Sequence, residues 1–264
     1  MEEKQYQIAW YRLRGLGLVC LCSLVFFIGA YVTNQKSIIA SSTVNGQRIP
    51  VSCVQTEEKK AALTFDTVWG NDQTRVILNI LEQYGAKATF FVTGEWVDRY
   101  PEDVKAITAA GHEVGNYSQS YRDMSGMSKA EIQTEIQTVH DKVWKLTGTE
   151  MKLFRAPYGD YDNELIDTVK QSGYLPVMWD VDSEDWKDYG IEAIIQKVTE
   201  NPHLGKGSII LLHSDAKYMP QALEAVIAKL QEQGYELVPA SELVRWSNYS
   251  MDGEGRQIPE QNKL

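Results

Sequence analysis

From Ala61 onward, short apolar runs alternate with stretches whose apolar residues recur at helical spacing. The first run, Ala61 to Phe65, is followed by Val76, Ile77, Ile80, Leu81 and Tyr84, three or four residues apart, and then by a second run from Ala88 to Val92. Runs of four to eight apolar residues read as strands buried on both faces, and the three-and-four spacing reads as helix. A longer helix follows, with Ile132, Ile136, Val139, Val143 and Leu146 on one face; Ser128 with Glu131 three residues later forms a capping box at its start. Further strand candidates are Leu153 to Arg155, Tyr174 to Trp179, Ser208 to Leu212 and Tyr235 to Val238. A helix carrying Leu223, Val226, Ile227 and Leu230 separates the last two. Seven or so alternations in under 200 residues predict an α/β fold with a parallel sheet, closed or nearly closed into a distorted (β/α)7-type barrel.

The segments outside this alternation read differently. No charged residue lies between Arg14 and Lys36, and Leu16 to Val32 is almost wholly apolar, close to the ~20 residues a helix needs to cross hydrocarbon. Lys4, Arg12 and Arg14 precede the run, which leaves residues 1–14 in the cytoplasm, predicts a single membrane span over 15–35 and puts everything after it outside. A cleaved signal peptide is the alternative, and it too exports the domain. Residues 36–58, with Ser41, Ser42, Asn45, Gly46 and Pro50, read as a stalk; 59–245 is the domain, and 246–264 a loose polar tail.

Composition narrows the function classes. A formal charge of −10 with scattered basic residues excludes the electrostatic footprint of a nucleic-acid binder. Two of the three cysteines, Cys20 and Cys22, lie in the span, and Cys53 falls in the stalk, so no internal disulfide framework exists.

In barrels of this kind reactive groups sit at the C-terminal ends of strands. Those ends deliver Asp66 and Thr67, Asn116 and Tyr117, Arg155 with Pro157, Tyr158 and Gly159, Asp182 and Asp185, and finally His213. Asp66 ends an apolar strand, where a carboxylate is costly unless paired, and Arg155 is its partner, either as part of a positioned base or as a plain ion pair closing the barrel mouth. Asp185 would orient the His213 ring and raise its pKa, as a general acid requires. A buried histidine that only satisfies a hydrogen bond is the competing reading.

Five segments in order, TFDT at 64–67, GHEVGNYSQSY at 111–121, FRAPYG at 154–159, DVDSEDW at 180–186 and SIILLH at 208–213, make the chain from about Ala61 to Leu243 resemble the polysaccharide deacetylases of carbohydrate esterase family 4, the NodB-homology domain. The resemblance implies a distorted barrel that removes acetyl groups from N-acetylated sugars in chitin-like polymers or peptidoglycan. It makes Asp66 the general base, held by Arg155, and His213 the acid, tuned by Asp185. The backbone N–H of Tyr158 would donate to the oxyanion, an interaction worth ~3 kcal/mol of barrier. Trp186 and Leu211 would line the acetyl pocket, with Pro157, Tyr117 and Tyr121 in the substrate groove.

The family holds a divalent metal such as zinc with a second aspartate directly after the base and two histidines four residues apart; Thr67, Tyr117 and Tyr121 occupy those positions. Threonine and tyrosine are poor ligands for zinc, so no metal and no other cofactor is expected. No substitute site is evident. His112 and Glu113 are followed by Gly115 and Asn116 rather than a second histidine, His140 and His203 read as surface residues, and Asp160 and Asp162 suit a helix start. Three functions remain open: a family member that binds N-acetylated cell-wall glycan without deacetylating it, a working deacetylase with a rewired site involving Tyr117 or Tyr121, and an envelope scaffold that binds a protein.

Overall fold

The computed structural model describes residues 43–44 and 46–260, all within one compact unit. The expected membrane span at 15–35 lies outside the described residues; among them no helix is long and apolar enough to cross a membrane.

In chain order the strands are β1 (Thr43–Val44), β2 (Gln47–Arg48), β3 (Cys53–Val54), β4 (Lys60–Thr67), β5 (Ala88–Val92), β6 (Glu113–Asn116), β7 (Leu153–Phe154), β8 (Leu175–Pro176), β9 (Val181–Asp182), β10 (Ser208–His213), β11 (Glu236–Leu237), β12 (Tyr249–Met251) and β13 (Arg256–Pro259). The helices are α1 (Thr74–Gln83), α2 (Gly94–Arg99), α3 (Pro101–Ala109), α4 (Lys129–Thr147), α5 (Asn163–Gln171), α6 (Ile191–Thr199), α7 (Met219–Glu232) and α8 (Ala240–Leu243).

Strands β10, β4, β5, β6, β7 and β8 lie side by side, all parallel. The barrel is regular over only half its wall. β10, β4 and β5 are five to eight residues long and β6 four, whereas β7, β8 and β9 are two-residue strands. The run expected as a strand from Tyr174 to Trp179 pairs over Leu175–Pro176 and through a single bridge between Val177 and Val51. That bridge, with Val51 N donating to Pro176 O at 2.9 Å and Met178 N to Val51 O at 2.7 Å, joins the thin side of the wall to the segment that leads into β3.

The apolar runs follow from burial on both faces. Ala61, Leu63, Phe65, Phe90, Val92, Ile210 and Leu212 face outward onto the helices, packed with Ile77, Leu81, Ile136, Leu223 and Ile227. Ala62, Phe91 and Ile209 face inward with Val54, Leu153, Val177 and Val238. The capping box at Ser128 and Glu131 opens α4, and Gly148 at φ 69° ends it. Asp162 caps α5 by accepting from Leu165 N.

Two segments differ from their sequence-based reading. Residues 43–58 are not a stalk throughout. β3 pairs with β10 and β13, and Cys53 is buried there, its thiol pushed up to about 12 by burial and by neighbouring Asp180. The segment 246–264 is not loose through its length: β12 and β13 form a hairpin, with β13 laid parallel to β3. The fully buried Gln257 side chain accepts from Arg245 N at 2.7 Å and donates to Arg245 O at 2.8 Å, so one polar residue anchors a hairpin that hydrophobic patterning does not reveal.

Register sets up the site. His213 pairs with Asp66, Asp66 with Phe91, and Phe91 with Gly115, which puts the four in one inward row across adjacent strands. A Cβ at Gly115 would lie 2.6 Å from the Phe91 ring. Gly115→Ala is expected to displace that ring and destabilise the domain by about 1–3 kcal/mol, read from the midpoint of urea unfolding.

Candidate functional site

The inward row ends at a pocket of about 730 Å³ at the C-terminal mouth of the strands, lined by Asp66, Leu211, His213 and Asp215 from β10 and β4 and the turn after β10, with aromatic walls on either side.

Behind its floor lies Arg155, fully buried, whose Nη1 donates to Asp66 Oδ1 at 2.6 Å with both side chains at most 1% exposed. Nη2 donates to Thr64 Oγ1 at 2.9 Å and to Met178 O at 3.0 Å. Thr64 in turn donates to Ile210 O at 2.7 Å. The guanidinium carbon lies 4.1 Å from the Phe91 ring centroid and 5.3 Å from that of Trp179. A buried charge is tolerated when it is paired, hydrogen-bonded and packed against aromatic faces, and all three conditions hold.

A second pair sits beside the first. The Asp185 carboxylate, fully buried, accepts from His213 N and meets His213 Nδ1, each at 2.7 Å. A carboxylate only accepts, so Nδ1 carries a proton, and Nε2 is the nitrogen left for the pocket. Burial lowers the pKa of this imidazole, but the hydrogen bond to Asp185 and the charges of Asp185, Asp66 and Asp215 outweigh it and leave the net shift upward.

The opposite wall is aromatic. Tyr121 meets Tyr117 with ring centroids 5.1 Å apart, Tyr158 at 4.6 Å and Trp69 at 6.0 Å. Tyr121 and Tyr158 both adopt positive φ, 50° and 61°, a backbone region costly for large side chains. The surroundings fix it: Tyr158 OH donates to Tyr121 O at 3.1 Å, and the 119–122 loop is tied to α4 through Glu135, which accepts from Gln119 N, Ser120 N and Arg122 Nη2, each at 2.9 Å. Burial, and then the Asp66 charge, push the Tyr117 phenol well above its ordinary range, so it remains a neutral hydroxyl.

The structure therefore brings Asp66, Tyr117, Tyr121, Tyr158, Trp186, Leu211 and His213 into one pocket, with Arg155 and Asp185 buried behind it. Pro157, expected in the groove, is instead buried within the 3-10 turn Pro157–Gly159, where its fixed φ starts the bend that presents Tyr158. Thr67, next to Asp66 at the end of β4, is fully buried and is not among the residues that line the pocket. His112 lies away from the pocket, accepting from Ala88 N, with burial lowering its pKa to about 4. His140 is not a surface histidine: its Nδ1 meets the Tyr174 hydroxyl at 2.5 Å.

Trp179, Asp188, Asp215 and Lys217 also line the pocket and were not singled out from sequence. Trp179 ends an apolar run and Asp215 follows His213 by two, so position at a strand end was the available signal. Asp188 and Lys217 lie in turns with no such mark.

A zinc ion does not fit the donors present. Among the described residues no three His, Cys, Asp or Glu side chains are placed to hold a metal. At the mouth, Asp66 is already committed to Arg155, and its neighbours are two tyrosines, Tyr117 held neutral.

Residues 54–177 match the polysaccharide deacetylase family. The peptidoglycan-N-acetylglucosamine deacetylase of Bacillus cereus is 34% identical over 200 residues, 74% of this chain and 92% of that protein. The chain belongs to this family. Another family member, the peptidoglycan-N-acetylmuramic acid deacetylase PdaC of Bacillus subtilis, is 37% identical over 190 residues, which are 72% of this chain but only 40% of PdaC. Among solved structures, wild-type BA3943, a CE4 family pseudoenzyme from Bacillus anthracis, superposes with a TM-score of 0.71 at 29% identity over 79% of this chain and 70% of its own. A mutant of that pseudoenzyme with restored enzymatic activity superposes equally, with a TM-score of 0.71 at 30% identity, over 79% of this chain and 72% of its own.

Within this family fold the two buried pairs make distinct predictions. Arg155→Ala leaves the Asp66 carboxylate buried without its counter-charge, and unfolding free energy is expected to fall by about 3–5 kcal/mol, with Asp66→Leu in the same chain recovering part of the loss in urea denaturation. For His213, a folded pKa raised above the usual 6.5 means that the ion pair stabilises the fold fully below that value and that this contribution is lost as pH rises through the folded pKa. An NMR titration of the ring should show a midpoint above 6.5 that drops in Asp185→Asn; an unchanged midpoint would remove Asp185 as the cause.

Proposed function

We propose that this protein binds N-acetylated cell-wall glycan in the aromatic-walled pocket and does not carry out the metal-dependent N-deacetylation of its family. The observation that carries the reading is that the intact Asp66–Arg155 and His213–Asp185 pairs share the pocket with Tyr117 and Tyr121, which the sequence resemblance aligns with the family's zinc-ligating histidines.

The chemistry lost is large. Bound zinc brings the pKa of water from 15.7 to about 7 and polarises the scissile carbonyl. Without it, Asp66 faces an ordinary water and an unactivated amide. The Asp66 carboxylate can accept a proton, His213 Nε2 can donate one, and the Tyr158 N–H can meet an oxyanion, but these groups act on an electrophile that nothing else has activated.

What remains suits binding. Trp69, Tyr158 and Trp186 are 61%, 59% and 60% exposed around the pocket, and flat aromatic faces pack against the apolar faces of sugar rings while leaving hydroxyls to the polar floor. The curated relatives include peptidoglycan deacetylases, which supports a cell-wall glycan as the ligand. The reading also takes residues 15–35 as a tether that holds the domain outside the cytoplasm, on the strength of their apolar run and the basic residues before it.

An N-acetylglucosamine oligomer incubated with the protein, with zinc or with chelator, is expected to release no acetate above background. The same oligomer should bind, with Trp186→Ala weakening it about tenfold, the ~1.4 kcal/mol that an aromatic face provides; acetate release that follows zinc would instead establish a working deacetylase. The combined substitution Thr67→Asp, Tyr117→His and Tyr121→His is expected to introduce about one zinc per chain by elemental analysis. Histidine tolerates the positive φ at position 121.

A further inference from the structure

The charge of the pocket points to which sugar of the glycan it receives. Four carboxylates line it, Asp66, Asp182, Asp188 and Asp215, against one lysine, Lys217. Asp66 is balanced by Arg155 and the His213 charge by Asp185. Asp182, which accepts from Glu184 N at 2.8 Å, Asp188 and Asp215 then share the pocket wall with Lys217, whose ammonium lies 4.8 Å from the Tyr218 ring centroid. Among the described residues no three metal-ligating side chains are placed to offset that surplus with a divalent cation.

We infer that, within the cell-wall glycan, this pocket prefers a sugar bearing a free, protonated amine over its N-acetylated counterpart. The inference rests on the glycan-binding reading and deepens it.

Three observations support it. The surplus charge is negative, and an ammonium has three donors and no acceptor, matching carboxylates, which only accept. A neutral acetamide brings a carbonyl oxygen, whose lone pairs meet the same carboxylates unfavourably. The exposed faces of Trp69 and Tyr158 attract a cation through the ring quadrupole as well as stacking on a sugar ring, and the Trp186 ring already shows this affinity, with Lys187 Nζ 5.1 Å from its centroid. Finally, no three acidic or metal-ligating side chains among the described residues are placed to hold a metal ion, which favours a ligand with an ammonium and several hydroxyls over a bare ion. Burial already pushes the Asp182 and Asp215 carboxyls upward, so a cation entering the pocket would relieve a cost that these groups carry in the free protein.

The test compares two tetrasaccharides by titration calorimetry on the same protein, one fully N-acetylated and one with free amines. The amine-bearing oligomer is expected to bind at least tenfold tighter at low ionic strength, with the preference shrinking as salt rises. Asp182→Asn combined with Asp215→Asn should bring the affinity ratio to within about twofold of unity. Glu57→Gln combined with Glu236→Gln makes the same change in net charge on exposed residues outside the pocket and should leave the ratio as it was. Equal or tighter binding of the N-acetylated oligomer overturns the amine preference and leaves glycan binding standing. A ratio that follows Glu57 and Glu236 as closely as the pocket residues overturns it as well, since the preference would then be a property of net charge. Binding of neither oligomer overturns both readings together.

Discussion

The fully buried Arg155 guanidinium is the constraint around which the mouth of the barrel is built. It joins Asp66 on β4, Thr64 one inward residue below, the carbonyl of Met178 on the thin side of the wall, and the faces of Phe91 and Trp179. Three chain segments, β4, β5 and the stretch holding Met178 and Trp179, thus converge on one planar group. Removing a guanidinium from water is expensive, and only a complete set of partners offsets that cost. The geometry of the Asp66 carboxylate is consequently fixed by the fold and not by any ligand.

The rest of the pocket shares this independence from a ligand. His213 and Asp185 form a second self-contained pair, and the tyrosine wall is pinned through Glu135 and the Tyr158 hydroxyl. None of these contacts needs a metal. Tyr121 packs on Tyr117 and Tyr158 with ring centroids 5.1 and 4.6 Å apart, so the wall is held by aromatic contacts of its own. The result is a family fold whose mouth is acidic and aromatic at once.

The sequence showed the regular half of the molecule because its signals are local. β4, β5 and β10 are buried on both faces and therefore read as unbroken apolar runs, and the capping box of α4 is written in two residues three apart. It did not show β3, the bridge at Val51, or the hairpin from Tyr249 to Pro259, since strands of two to four residues draw their stability from partners distant in the chain. Gln257 shows the difficulty plainly: a polar residue in a polar segment is the anchor of that hairpin, and only its two hydrogen bonds to Arg245 reveal it.

For the site, residue chemistry at strand ends was enough to name Asp66 with Arg155 and His213 with Asp185, because an ionisable group ending an apolar strand needs a partner and few were available. Tertiary structure alone decided that Pro157 is buried, that Thr67 leaves the pocket wall, and that Trp179, Asp188, Asp215 and Lys217 enter it. Pattern fixes which residues can face inward; the register of neighbouring strands and the path of the connecting turns fix which of them meet.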